Sequence, residues 1–227
     1  MGAPMAVTLA NFCPAISVGR NTPDPPMLTF DHIAIACTDL AAATADLQHR
    51  LGVALQPGGR HDRYGTHNML LGLGDLYLEL IAIDPQAPPT GRPAWFGLDS
   101  FTGPMRPANW ICRTDDLAAA IASAPVDPGP AVPLTRGDLH WQITVPDDGH
   151  LPLDGAMPTL IQWAKDKVHP AERLAESGCR LTQWHVSHPQ AAMLQDTLAL
   201  NDPRVTFTTG AAGFTATLDT PTGRVTL

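Results

Sequence analysis

The chain has 227 residues, 44% of them hydrophobic and 16% charged, with a formal net charge of −8; this is enough for one large domain or two small ones with a full core. The acidic balance argues against nucleic acid or an anionic membrane surface as partner, and no apolar run approaches the roughly 20 residues of a membrane helix. The four cysteines, Cys13, Cys37, Cys112 and Cys179, form neither a CxxC pair nor a dense framework, the pattern of a reducing, cytoplasmic setting.

Residues 1–26 are mildly apolar but lack the basic n-region of a secretory signal, the first positive side chain being Arg20. They read as a flexible extension, and Met27 is a candidate start of translation. Residues 28–37 then read as a strand. Thr38 or Asp39 is the expected N-cap of a helix whose Leu40, Ala43, Leu47 and Leu51 share one face, with Gly52 as its stop. A short strand is expected at 53–56, followed by the polar, Gly-rich connection "PGGRHDRYGTHN". Strands at 68–73 and 76–83 meet in a hairpin around Gly74-Asp75. The first unit is therefore β-α-β-β-β.

A Pro/Gly-rich linker covers 84–104, after which the order returns. "NWICRTDDLAAAIASA" repeats the strand-cap-helix pattern of "IAIACTDLAAATADL", and strands follow at 131–135, 139–145 and 158–163. Modules are thus expected at 28–83 and 107–163, within a first domain over 27–170. A C-terminal β-α-β-β unit over 171–227 is expected to pack on it, with a strand around "LTQWHVS", a helix over 189–200 and strands at 205–209, 214–218 and 223–227.

The segment "LYLELIAI" carries the main anomaly. Alternation puts Tyr77, Glu79, Ile81 and Ile83 on one face and Leu76, Leu78, Leu80 and Ala82 on the other. A strand apolar on both faces reads as buried on both, and a carboxylate there needs a metal ion, a cationic partner or a raised pKa. His32, in "DHIAIA", is the lone imidazole of its strand, with Phe30, Ala34 and Ala36 expected on its face. His61, His67 and Asn68 cluster in the Gly-rich connection and are expected to line a pocket. The strand tryptophans Trp110, Trp141, Trp163 and Trp184 read as core, or more sharply as an aromatic wall around a ligand, with Trp110 and Trp163 its expected members. "GLGDL" sits between two strands and reads as a turn, not a dinucleotide fingerprint. His188, before Pro189, reads as a helix cap rather than as half of a metal pair with His185.

The paired modules resemble the vicinal oxygen chelate superfamily. "FDHIAIACTDL", "PGGRH", "GTHN", "YLELIA", "LIQW" and the His169-Pro170 pair closely resemble its glyoxalase-like domain family, over residues 27–200. The resemblance implies an α+β fold in which two βαβββ modules curl into a cup, with metal ligands from the first and fourth strands of each. In module one those positions fall on His32 and Glu79. In module two the fourth-strand position falls near Gln162, and the first-strand position on Asn109 or Trp110 according to the alignment. The implied cofactor is a divalent metal, Zn, Fe, Mn or Ni, with Gln162, His67 or His140 as a further ligand. The implied activity is that of a lyase, isomerase or dioxygenase on a small molecule, Glu79 doubling as a proton shuttle. A metal-free binding protein of the bleomycin-resistance type is the alternative, and a homodimer is left open.

Overall fold

The computed structural model describes Gly2 and residues 25–227; the expected extension over 1–26 falls almost wholly outside them. Two modules are present, each running strand, helix, three strands. The first contains β1 (Thr29–Ala36), α1 (Leu40–Leu51), β2 (Gln56–His61), β3 (Thr66–Gly72) and β4 (Tyr77–Ile83). The second contains β5 (Arg106–Arg113), α2 (Leu117–Ser123), β6 (Ala131–Arg136), β7 (Leu139–Thr144) and β8 (Thr159–Trp163). Their strands form one eight-stranded sheet in the order β2-β3-β4-β1-β5-β8-β7-β6, which curls until its edges, β2 and β6, touch. This is the expected cup.

The two modules start their helices alike. Asp39 caps α1 by accepting from Ala42 N, and Asp116 caps α2 by accepting from Ala119 N. Gly52 ends α1 in the left-handed conformation that a Cβ disfavours, returning its N–H to Gln48 O. The apolar face of α1 is buried through Ala43, Leu47 and Leu51. It joins one core cluster on the convex side of the sheet, whereas Ala34, Ala36, Ile81, Ile111, Ile143 and Ile161 belong to a second cluster inside the cup.

Three expectations need correction. The short strand expected at 53–56 lies instead at Gln56–His61, inside the supposed loop. Its two glycines, flanked by a register shift, hide the strand from an alternation reading. The linker over 84–104 is not a spacer: its 3-10 segment, Trp95–Ser100, kinked where Phe96 and Gly97 take positive φ, buries Trp95, Phe96 and Leu98 in the cup cluster. In the C-terminal unit the strands expected at 205–209, 214–218 and 223–227 are all present, one more after the helix than a β-α-β-β unit holds: β9 (Arg180–Ser187), the helix Ala191–Thr197, β10 (Val205–Thr208), β11 (Gly213–Thr220) and β12 (Gly223–Thr226). Its own sheet runs β10-β9-β11-β12, with β9 between a parallel and an antiparallel neighbour, so it does not repeat the cup module. Trp184, Leu194 and Leu218 of this unit join the convex-side core.

Candidate functional site

The site begins with an irregularity in β1. Pairing with β5 shifts register between Phe30 and His32, leaving Asp31 as the extra residue. Such a bulge breaks strict alternation. Phe30 therefore turns to the convex side, edge-on to Trp110 at 5.7 Å, rather than sharing the face of His32 as alternation predicts. Asp31 and His32 can then meet: Nδ1 of His32 lies 2.6 Å from Asp31 Oδ1. The other carboxylate oxygen is 2.8 Å from His169 Nε2 and accepts from Trp163 Nε1 at 3.0 Å. His169 Nδ1 accepts from Ala171 N, which places the His169 proton on Nε2, facing Asp31. Asp31 is fully buried. Burial alone would raise its carboxyl, but the hydrogen bonds from His169 and His32 outweigh that and hold it below the usual carboxylate range.

With Nδ1 committed to Asp31, the other nitrogen of His32 faces inward, and its ring stacks on Tyr77 at 4.2 Å. Nε2 lies 3.8 Å from Glu79 Oε2. That is too far for a hydrogen bond and close enough for both groups to reach one small guest. The second oxygen of Glu79 accepts from Asn68 Nδ2. Asn68 is held in turn, its Oδ1 accepting from Gly59 N at 2.7 Å. A Cβ at Gly58 would lie only 1.9 Å from that Oδ1, so glycine there is what lets the amide reach Glu79.

The rest of the cavity is largely apolar. Its other lining residues include Trp141, Trp163, Ile143 and Ile161 on module two and Trp95 and Phe96 from the 3-10 segment, with His61 and Arg136 also on the lining. Trp141 and Trp163 lie 5.3 Å apart, and Trp95 stacks on both Tyr64 and Phe96. The free volume is about 30 Å³, roughly one water's share of the liquid.

His32, Glu79, His61, Asn68 and Trp163 thus converge on one cavity, while Gln162, His67 and Trp110 stand outside it. Gln162 accepts from Leu117 N and donates to Asp115 O, tying β8 to the start of α2. His67 neighbours Asn68 on β3 and takes the opposite face. Trp110 is buried on the convex side, donates to Ala156 O and packs edge-on against Phe207 of the C-terminal unit. Asp31, Arg136, Trp95 and Phe96 went unrecognised in the sequence. Asp31 had a signal in its adjacency to His32, and His169 in the His-Pro pair; Arg136 had none.

The backbone shows which module-two residues match His32 and Glu79. Cys37 N donates to Ile81 O, and Thr114 N makes the equivalent bond to Ile161 O. Counting back along the paired strands sets Asn109 opposite His32 in role, and Thr159 opposite Glu79. These two bond to each other, Asn109 Nδ2 donating to Thr159 Oγ1 at 2.9 Å. A divalent metal sharing ligands from both modules therefore finds only two free donors, His32 Nε2 and Glu79 Oε2, opposite an isoleucine and tryptophan wall. Among the described residues no three His, Cys, Asp or Glu side chains gather as a metal site. Two donors facing hydrocarbon do not fit the four-ligand centre implied by the family resemblance.

A family model described as a glyoxalase-like domain matches residues 30–200. A search of curated proteins returned no match. Among solved structures, a hypothetical protein from Staphylococcus aureus is 18% identical with a TM-score of 0.53, covering 88% of this chain and 84% of its own. Methylmalonyl-CoA epimerase from Mycobacterium tuberculosis is 18% identical with a TM-score of 0.42, covering 63% and 93%. A hypothetical protein from Bacillus halodurans is 16% identical with a TM-score of 0.42, covering 62% and 96%. At these identities the likeness is one of fold.

Proposed function

The chain belongs to the glyoxalase-like domain family, and from that premise we propose that it is a small-molecule enzyme of the isomerase or lyase type that moves a proton between Glu79 and its substrate without help from a metal. The observation that carries this reading is the pairing of Glu79 Oε2 with His32 Nε2 across 3.8 Å, each group braced from behind by a buried partner. Bracing matters because a catalytic group held in place loses no free energy to reorganisation as charge develops.

Glu79 Oε2 takes the proton from a carbon beside the substrate carbonyl. His32, with a proton on Nε2, hydrogen-bonds the carbonyl oxygen as it becomes an enolate. Asp31 supplies the opposite charge behind the imidazole and keeps Nε2 directed at the guest, the role a buried aspartate plays behind a catalytic histidine. Return of the proton to the same or the neighbouring carbon gives an isomer; loss of a leaving group from the adjacent carbon gives a lyase product. Asn68 holds Glu79 and leaves one of its oxygens unengaged. Trp141 and Trp163 exclude water, which strengthens both contacts.

The test is exchange of solvent deuterium into carbon acids with an acidic C–H beside a carbonyl, followed by proton NMR. Wild type exchanges at least one such compound, and Glu79→Gln and His32→Ala each slow it by about a hundredfold or more while staying folded. Elemental analysis finds far less than one divalent ion per chain, and chelators leave the rate unchanged. A stoichiometric ion lost together with activity would restore the metal-dependent reading. A metal-free protein that exchanges nothing would leave a binding module of the bleomycin-resistance type.

A further inference from the structure

The cavity has a cation at its edge that proton transfer does not use. Arg136 is the last residue of β6, one edge of the curled sheet, and its side chain reaches across to β2, the other edge. The stem passes over Gly59: a Cβ there would lie 2.6 Å from Arg136 Cδ. The head is fixed by His61, whose Nε2 lies 3.3 Å from Arg136 Nη1. His61 Nδ1 is 3.1 Å from Thr66 Oγ1, which also accepts from Trp95 Nε1. The arrangement puts the His61 proton on Nδ1 and leaves Nε2 to accept from the guanidinium. Burial pushes the His61 pKa down to about 4, so the ring is neutral at physiological pH and holds the arginine without cancelling its charge. Among the described residues no carboxylate pairs with Arg136, whereas Arg60 and Arg113 each have one and Arg204 has two.

A guanidinium offers five N–H groups, and His61 engages one side of it. The remaining donors border a cavity with Glu79 and His32 on one wall and Trp141 and Trp163 on another. We propose that Arg136 is a carboxylate-recognition residue, and that the cavity, whose roughly 30 Å³ must widen by movement of its lining side chains to admit anything larger than water, takes a small organic acid whose carboxylate pairs with Arg136 while its apolar part lies against Trp141 and Trp163. One fork of two parallel N–H bonds matches a planar monoanion; a phosphate dianion would bring a second negative charge close to Glu79. The two glycines of "PGGRH" then have separate tasks: Gly58 admits Asn68, which holds Glu79, and Gly59 admits the Arg136 stem. This inference deepens the acid–base reading by naming a substrate class, yet it needs only that the cavity binds.

The experiment titrates wild type with phenylacetate and with its neutral analogue phenylacetamide, following the fluorescence of the cavity tryptophans. Phenylacetate should bind at least about tenfold tighter than the amide, the worth of a charge-assisted pair. Arg136→Gln should abolish that preference while amide binding stays as it was. Gly59→Ala, which crowds the stem without removing the charge, should reduce the preference, and it stands in if Arg136→Gln does not fold. Glu79→Gln should retain the preference, so loss of proton exchange and loss of acid recognition are separable failures. Equal binding of acid and amide, an unaltered preference in both variants, or no saturable binding of phenylacetate would overturn the proposal.

Discussion

Modules one and two share a backbone plan and differ in chemistry. The same N-cap aspartate starts each helix, and the same hydrogen bond ties the end of each first strand to its fourth. Yet His32 and Glu79 stand open toward a cavity, while their counterparts Asn109 and Thr159 satisfy each other. A repeated fold supplies repeated positions, not repeated functions. Here one module supplies the reactive pair, and the other contributes a hydrophobic wall, a cation at the edge, and Trp163 and the downstream His169, which brace Asp31 from behind. The site needs both halves, for different reasons.

The sharpest way to break the comparison is Asp31→Asn. An amide there must turn an N–H toward His169, Trp163 or His32, all of which donate to the carboxylate. The expected cost is about 3–5 kcal/mol, or roughly 10 °C in Tm for a chain of this size. Calorimetry checks it; an unchanged melting temperature would show that Asp31 does not join the modules. The pH dependence has a definite sign. The folded-state pKa of Asp31 is lowered, so its stabilisation is present above the unfolded value near 4 and is lost as pH falls below it.

His61 gives the next effect, at higher pH. Its folded pKa of about 4 lies below the unfolded value of about 6.5, so the unfolded chain takes up a proton first. Stability should fall as pH drops from about 6.5 toward 4, by about 3 kcal/mol from this group. His61→Gln removes the titration and should flatten that part of the profile. Urea melts at pH 7 and pH 4.5 for both proteins decide it, and parallel losses would refute the assignment.

The smallest effect makes the finest distinction. Asn109→Ala and Asn68→Ala each remove the two side-chain hydrogen bonds of a buried amide that holds the fourth-strand residue of its module, and each should cost about 1–3 kcal/mol. Only Asn68→Ala should also slow deuterium exchange, by about tenfold or more, because only Asn68 holds a reactive carboxyl. Equal effects on exchange would mean that both modules take part in the chemistry.

Much of this was legible in the chain itself. Periodicity and capping residues identify the strand-helix order and the doubled module, because both are local properties of a few consecutive side chains. The same alternation puts Glu79 on a face with no solvent, and the family resemblance pairs it with His32 as a candidate. What tertiary structure alone decided depends on contacts distant in sequence. The bulge at Asp31 is set by pairing with β5 and by a bond to His169, 138 residues away, and it turns Phe30 out of the cup. Arg136 meets His61 across 75 residues, where curling of the sheet brings its two edges together. Gln162 was expected inward, but one residue of register carries a strand side chain to the opposite face, and it caps α2 instead. Local pattern states which residues can share a surface; long-range register determines which of them face one another.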